Sequence, residues 1–449
     1  MFEMHEKAII NVNESANSLI ELLEEIPLPK QNDTTFGKDL YSTATITDEH
    51  ILDMKFSLSN GLGEEVCKYF YKEDVAYGFI NESYQMFCSI AQKIYRNKGI
   101  SKLISFEYLK EKLFTWIQNA FVQDEKVDFY DNLSEVCFVD VVEREIIIPV
   151  PFTLAEKEFC FGGMTFKTVT EQMIDDWFEQ VNSNKKESIE LQQFEIMKMK
   201  VKQEIQGYIA GIFVCTAEAL RAKELAYEKL SENLSFLRLL SPANFHYKAI
   251  CPAHEYGKSI IINATYLSIK RINFEMNYAM ETVNKTMFWN METKIIDYVL
   301  SGPFQKANEL LLIETPNDFQ EKLLNAIIIY SKHTISHEIY DKILYILVAI
   351  ESMLLKTDTE PIQQNIGQRL AYLIGNDLEE RKCIIKTIKA IYSIRSKYIH
   401  HGIIDFKDDE LMKKFMLYVW QAFSKMIEFI NTFETREKFI EHLDNLLLS

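Results

Sequence analysis

The sequence predicts an α+β protein in which a mixed N-terminal region with short β-strands precedes an all-helical C-terminal region. Short runs rich in β-branched and aromatic residues, interrupted by Pro and Gly, lie between residues 134 and 170. After about residue 290 such runs stop and helical spacing takes over. Only 14 Gly and 9 Pro occur in 449 residues, which leaves little room for long linkers. We therefore expect a mixed region over residues 1–300 and a helical domain over residues 301–449.

Apolar spacing predicts the elements of the N-terminal region in order. Helical spacing covers 9–26 and 64–96, on either side of a turn-rich stretch at 32–35. Strands are then expected at 145–151, 158–163, 164–169 and 207–215, followed by a helix over 217–240 and a strand-rich stretch over 247–272. The predicted helices of the C-terminal region are 291–312, 317–332, 337–356, 362–375, 377–401 and 408–447.

Composition limits the function classes that this chain can belong to. The formal net charge of -17 disfavours general binding to nucleic acid. Seven scattered cysteines without a C-x-x-C pair favour reduced thiols in a cytosol. Because no secretion signal and no long apolar run are evident, we expect a cytoplasmic protein that does not contact membranes.

One segment departs from the acidic character of the chain. Between residues 381 and 402 there is no acidic residue, and the cations are Arg381, Lys382, Lys386, Lys389, Arg395 and Lys397. Asp377 is the expected N-cap or first-turn residue of a helix, and Gly402 marks its expected stop. Any chemistry on nucleic acid would depend on this local positive charge.

The segment also carries an arginine and a histidine separated by four residues. Arg395 can hold a phosphate through two parallel hydrogen bonds, and His400 can move a proton near neutral pH. Helical phasing places Arg395 in the apolar stripe and the lysines on the other side. Residues 395 and 400 are roughly 140° apart on an ideal helix. A joint site therefore requires that the helix end or distort near His400, or that a second subunit contribute.

Structural explanations exist for the same residues. Arg395 could form a buried ion pair with Glu351 on a neighbouring helix. His400 and His401 could interact with the negative end of the helix dipole before Gly402. The lysines could form a solvated helix face.

The run from Ala390 to Gly402 resembles the R-x4-6-H motif of HEPN domains. It is closest to the Apea-like branch, whose motif helix reads tyrosine, two residues, Arg-Ser, three residues, His and then glycine. The segments 325–330, 347–354 and 369–374 match that branch's order of helices, so the resemblance covers about 315–447. More weakly, 146–163 resembles the β-rich segment that often precedes such domains.

The resemblance implies a metal-independent ribonuclease in which two copies of the motif meet in a cleft between helical domains. Arg395 would bind the scissile phosphate and stabilise its developing charge, and His400 would act as general base or acid for attack by the RNA 2′-hydroxyl. Ser396 would bind the phosphate or orient the pair, and Glu351 would orient Arg395. The doubled histidine leaves either His400 or His401 as the catalytic one.

The resemblance also implies an RNA substrate, a homodimer or higher homo-oligomer, and neither cofactor nor metal. A role in defence against phage by abortive infection, or as a toxin, would bring a phage-derived trigger or an antitoxin as partner. The alternative is a non-catalytic HEPN module that serves dimerisation or nucleic-acid binding.

Other patterns are weaker. His333 and His337 have metal-ligand spacing if they lie on one helix, but no third ligand is evident nearby. Cys251 and His254 lack a partner pair. No G-x-x-x-x-G-K-[ST] motif occurs, which argues against an ATPase.

Overall fold

The computed structural model describes residues 2, 4–27, 55–73, 75–123, 127–182, 188–254, 263–270, 275–282, 288–357, 359–402 and 408–448. The chain forms two compact units. The first comprises Met1–Glu145 and Val214–Leu225, and the second comprises Ile146–Phe213 and Ala226–Ser449. None of the helices within the described ranges is long and apolar enough to cross a membrane.

The first unit packs helices against an antiparallel sheet. Its strands pair in the order β1-β4-β3-β2. The elements are α1 Glu6–Ile20, β1 Glu24–Glu25, β2 Lys55–Ser59, β3 Glu65–Lys72, β4 Val75–Ile80, α2 Glu82–Tyr95, α3 Lys98–Ser101, α4 Phe106–Gln123 and α5 Phe129–Asp140. Aromatic side chains fill the space between sheet and helices: Phe70, Phe79, Phe87 and Phe114 are fully buried.

The described residues of 142–291 form short strands and three α-helices, and the division between the two units falls within three of these elements, after residues 145, 213 and 225. A four-stranded sheet has the order β5-β9-β8-β7, β6 pairs with β12, and β10 pairs with β11. The elements are β5 Val142–Val150, β6 Thr153–Ala155, β7 Phe159–Phe161, β8 Met164–Thr168, α6 Glu171–Asn182, α7 Ser188–Ile205, β9 Ile209–Ala217, α8 Ala219–Leu237, β10 Asn263–Lys270, β11 Glu275–Thr282 and β12 Trp289–Met291.

From Thr293 onwards the described residues form helices and turns only. The helices are α9 Thr293–Leu300, α10 Pro303–Leu312, α11 Asp318–Ser331, α12 Ile339–Leu354, α13 Ile362–Ile374, α14 Leu378–His401, α15 Asp409–Glu428 and α16 Arg436–Leu448. Helix α12 packs against α11, α13, α14 and α15, and α13 packs most extensively against α14. The buried side chains of these helices belong to the same apolar core as β7 and β8.

The predicted fold class is confirmed, with strands in the N-terminal part and helices alone in the C-terminal part. The compact units do not divide at residue 300, because strands after residue 146 share a unit with the C-terminal helices. As a division between a regulatory region and a functional domain, the boundary at 300 stays a prediction.

One predicted helix is wrong in its first half. Residues 64–96 form β3, β4 and only then helix α2. β3 pairs with β4 in antiparallel register from Cys67–Ile80 to Lys72–Val75. The aromatic and β-branched residues of both strands favour this pairing. Gly78 permits the close approach, because a Cβ there would lie 2.1 Å from the Lys68 carbonyl oxygen.

Two predicted C-terminal helices are each divided by a turn. Segment 291–312 breaks at Gly302, whose φ of 70° lies in the left-handed region. Segment 408–447 breaks between Glu428 and Arg436, where the ring of Phe433 packs 5.4 Å from that of Phe439. The predicted strand-rich stretch 247–272 contains β10, whereas its first residues, 247–254, form a loop. The turn-rich stretch 32–35 lies outside the described residues.

A buried arginine joins three parts of the helical region. The Arg369 side chain on α13 is 5% exposed. Its Nε donates to Asp444 Oδ1 on α16 at 2.8 Å, and Nη1 and Nη2 donate to the two carboxylate oxygens of Glu360 at 3.0 and 3.1 Å. Nη1 also donates to the Leu354 carbonyl oxygen at the end of α12, at 2.6 Å. All three guanidinium nitrogens therefore donate hydrogen bonds that hold the helices together.

We predict that Arg369→Ala destabilises the protein by about 3–5 kcal/mol, because it leaves the partly buried Glu360 carboxylate without its cation and leaves Asp444 paired with Lys356 alone. Urea unfolding followed by circular dichroism measures the change. The matched control is Lys438→Ala on α16, whose pair with Glu434 is exposed; it should cost at most about 1 kcal/mol. Equal effects of the two substitutions would contradict the structural role of Arg369.

Candidate functional site

Helix α14 carries the arginine–histidine motif, and both of its ends are capped. At its N-terminus the Asp377 side chain accepts a hydrogen bond from the Glu380 backbone N–H at 2.9 Å. At its C-terminus Gly402 adopts a left-handed conformation with φ 62°, and its N–H donates to the Tyr398 carbonyl oxygen at 3.0 Å. The caps confirm the predicted start and stop of the helix. The helix is continuous from Leu378 to His401.

The first four turns of α14 bury their apolar face, and the last two turns do not. Ile384, Ile388 and Ile391 are fully buried. Further along the same stripe Tyr398 is half-buried, with its ring stacked 4.1 Å from that of Tyr340 on α12. Ile399, which the phasing assigns to the stripe, is 50% exposed. The end of α14 therefore reaches beyond the core, and the motif lies at the border between core and solvent.

Arg395 lies at this border beside a carboxylate of α12. Its Nη1 is 3.7 Å from Glu351 Oε1, and the two side chains are 30% and 18% exposed. The Tyr392 hydroxyl donates to the same Glu351 oxygen at 2.7 Å. Burial and then the Glu351 carboxylate raise the pKa of Tyr392 far above its usual range, so this hydroxyl remains protonated. Glu351 is thus held mainly by Tyr392, and the longer contact leaves Arg395 free to bind another anion.

The hydrogen bonding of Arg395 is incomplete. Its Nε is buried and has no hydrogen-bond partner among the residues that the structure describes. A guanidinium with unused donors can bind an oxyanion through parallel N–H groups. The structure therefore brings Glu351 and Arg395 together, as the sequence suggested, without closing the arginine into a saturated ion pair.

An open groove of about 850 Å³ runs along the end of α14. The side chains that line it are Ile362, Gln363, Lys389, Tyr392, Ser393, Arg395, Ser396, Lys397, Ile399, His400 and His401. Among the described residues that line the groove, none is acidic. The groove offers three cations, three hydroxyls and two imidazoles, a set that can bind a phosphate and transfer protons.

The groove does not place Arg395 and His400 side by side. Because α14 continues to His401 without distortion, the two positions keep their separation of roughly 140° around the helix. Within the described ranges, no hydrogen bond or ion pair joins the two side chains. His400 and His401 are both exposed, and their ring centroids are 6.5 Å apart. The helix is not distorted before His401, and the contribution of a second subunit stays a prediction.

His333 and His337, whose spacing would suit a metal only on one helix, do not lie on one helix. His333 lies in a 3-10 turn and is fully buried, whereas His337 lies outside the helices and is exposed. His333 Nδ1 donates to the Tyr330 carbonyl oxygen at 2.6 Å. Burial lowers the pKa of His333 to about 3, so the ring is neutral. Over the described ranges, no group of three His, Cys, Asp or Glu side chains is placed to hold a metal ion.

Two residues of the site did not receive a role from the sequence. Tyr392 appeared only as part of the motif, although its position three residues before Arg395 puts both on the same side of the helix. Gln363 on α13 donates through Nε2 to the Lys389 carbonyl oxygen at 3.1 Å and forms the opposite wall of the groove. No sequence signal identifies Gln363, because its place depends on how α13 packs against α14.

Comparison of the chain with protein-family models, with curated proteins and with solved structures gives no match.

Buried His333 should make the stability depend on pH. Its folded pKa is below its unfolded value near 6.5, so the unfolded chain takes up the proton first as the pH falls. Between pH 7.5 and 5.5 the wild type should lose about 1.4 kcal/mol that His333→Gln does not lose. Urea unfolding at both pH values measures this. Exposed His337→Gln is the control and should keep the wild-type dependence.

We also predict that Tyr392→Phe destabilises the protein more than Arg395→Ala. The tyrosine removal breaks a short hydrogen bond to a carboxylate, at a cost of roughly 1.5–3 kcal/mol. The arginine removal breaks a long and partly exposed contact, at a cost of at most about 1 kcal/mol. The free energies of unfolding of the two variants test this prediction. If Arg395→Ala lost more stability than Tyr392→Phe, Arg395 would be a structural ion-pair residue and not an anion-binding residue.

Proposed function

We propose that this protein is a metal-independent endoribonuclease of the HEPN type. The observation that carries the proposal is the groove at the end of α14, where Arg395, Ser396, His400 and His401 line one basic surface on an otherwise acidic chain. The half-buried position of Arg395 and its unused donors add support, because they suit an anion that is bound and released.

In the proposed reaction the RNA 2′-oxygen attacks the adjacent phosphorus. A histidine, His400 or His401, takes the 2′-hydroxyl proton as general base. The bond from phosphorus to the 5′-oxygen breaks, and that oxygen takes a proton from a general acid. Arg395 stabilises the charge that develops on the phosphate oxygens, and Ser396 donates a hydrogen bond to them. The products are a 2′,3′-cyclic phosphate and a 5′-hydroxyl, and no metal ion or cofactor takes part.

Glu351 and Tyr392 are proposed as positioning residues. Tyr392 fixes the Glu351 carboxylate, and the carboxylate holds the Arg395 guanidinium towards the groove. Because the Glu351–Arg395 contact is 3.7 Å, the arginine can turn to the phosphate at little cost.

The active species is proposed to be a homodimer, or a higher homo-oligomer built from such dimers. The separation of Arg395 and His400 around a continuous helix supports this, because a histidine from the second copy can reach the phosphate that Arg395 holds. Each two-fold-related groove would then combine Arg395 of one protomer with a histidine of its partner.

For the cellular role we propose defence against phage by abortive infection, or action as a toxin, in the cytoplasm. The mixed region over residues 1–300 would restrain the nuclease until a phage-derived trigger binds or an antitoxin is lost. The support for this role is the resemblance of 315–447 to HEPN domains.

The second candidate is a non-catalytic HEPN module that binds nucleic acid or dimerises. The exposure of both histidines, and their distance around the helix from Arg395, favour this candidate. A cleavage assay separates the two.

We predict that the purified protein cleaves RNA in the presence of EDTA and leaves 2′,3′-cyclic phosphate ends. Arg395→Ala should lower the rate by about 10²–10³-fold. Either His400→Ala or His401→Ala should lower it by about 10²–10⁴-fold, which identifies the catalytic histidine. Gel separation of end-labelled RNA measures the rates. Cleavage that requires a metal, or that persists in all three variants, would refute the proposal.

A mixing experiment tests the shared site. Arg395→Ala and the inactive histidine variant are each inactive alone, and subunits are exchanged at equal amounts. If each site takes its arginine and histidine from different protomers, half of the dimers contain one intact site and about a quarter of wild-type activity returns. Absence of any recovery despite measured subunit exchange would place both residues in the same protomer, and a strict monomer would exclude the shared site.

A further inference from the structure

The exposed side of α14 carries a row of lysines that the proposed chemistry does not use. Lys386, Lys389 and Lys397 are exposed and form what we call the lysine face. On an ideal helix they lie within an arc of roughly 80°, and His400 lies inside this arc. The phasing that separates His400 from Arg395 therefore aligns His400 with the lysines.

In the described part of the chain, no acidic side chain pairs with the lysine face. Among the residues that the structure describes, none of the three lysines forms an ion pair, whereas Lys382 one turn earlier is paired with Glu379 at 2.7 Å. Lys389 and Lys397 also line the groove with Arg395 and His400. In a chain with a net charge of -17, a row of unpaired cations continuous with the groove is a local attractor for a polyanion.

We infer that the phosphate backbone of single-stranded RNA runs along the lysine face of α14 and enters the groove at His400. This inference rests on the proposed function, to which it adds the form of the substrate and the path of its flanking nucleotides. From residue 386 to residue 400 the helix rises about 21 Å. A stacked strand advances roughly 3.4 Å per nucleotide, so the face accommodates several nucleotides on one side of the cleaved bond.

A single strand fits this surface better than a duplex does. The lysines form one narrow row, which follows one backbone and offers nothing to a second strand. In-line attack also requires the 2′-oxygen to move opposite the leaving 5′-oxygen, and continuous stacking in a duplex prevents that movement. Ser393 and Ser396, both exposed between the lysines, can donate hydrogen bonds to the same backbone.

The test measures binding without cleavage. The probe is a fluorescein-labelled, fully 2′-O-methylated RNA of about 12 nucleotides, which lacks the attacking hydroxyl. Fluorescence anisotropy at several salt concentrations compares wild type with Lys386→Gln/Lys389→Gln. Each lost phosphate contact lowers the salt slope by about 0.7, so the variant should bind several-fold more weakly with a slope lower by about 1.4.

The control is Lys322→Gln/Lys332→Gln, which removes the same charge from exposed lysines of α11 and the turn after it. This control should bind like wild type. If both variants had the same salt slope, or lost the same amount of binding affinity, the proposed role of the lysine face would be wrong. If a duplex probe bound as tightly as the single strand, the inference that the substrate is single-stranded would be wrong.

The binding assay tests the RNA path, and the cleavage assay tests the nuclease, so each claim can be refuted without the other. Lysine-dependent binding without cleavage of an unmodified probe would reject the nuclease and retain the RNA path. Cleavage with a salt slope that the lysine substitutions leave unchanged would retain the nuclease and reject the path. Absence of binding by wild type would reject the path outright.

Discussion

The orientation of helix α14 about its own axis is the constraint on which the rest of the site depends. Ile384, Ile388 and Ile391 must be buried against α12 and α13, and this fixes the direction of every other side chain on the helix. Burial of that stripe turns the lysines to solvent and leaves Arg395 where the core ends. The stacking of Tyr398 on Tyr340 fixes the same helix orientation in the last turns. A rotation of the helix about its axis would expose the isoleucines and would leave the separation of His400 and Arg395 unchanged, because both lie on this helix.

Much of this arrangement could be predicted from the sequence, because helical periodicity fixes faces without knowledge of neighbours. The helix, its Asp377 cap, its Gly402 stop and the opposition of Arg395 to the lysines follow from local rules, and the structure has them. The contact between Arg395 and Glu351 could be suggested but not placed, since it depends on which turns of α12 and α14 face each other. The exposure of Ile399 could not be predicted, because periodicity does not show where a core ends.

The errors elsewhere have a common cause. Strands β3 and β4 were mistaken for helix because both faces of that hairpin are covered, so its burial does not alternate as a half-exposed strand does. The break before α16 reflects packing of Phe433 against distant aromatic rings. In both cases a tertiary contact outweighed a local pattern.

Two arginines of the helical region differ in burial and in pairing, and this difference distinguishes a structural arginine from one that can bind a substrate. Arg369 is almost fully buried and binds two carboxylates and a carbonyl, so its donors are committed to the fold. Arg395 is partly exposed, makes one long contact, and keeps a buried Nε without a described partner. A half-buried guanidinium is costly to leave underused, and the cost falls when an anion binds. That difference is the physical reason to look for chemistry at the end of α14. Because Arg395 and His400 lie roughly 140° apart on one continuous helix, the proposed shared site takes its histidine from a second copy.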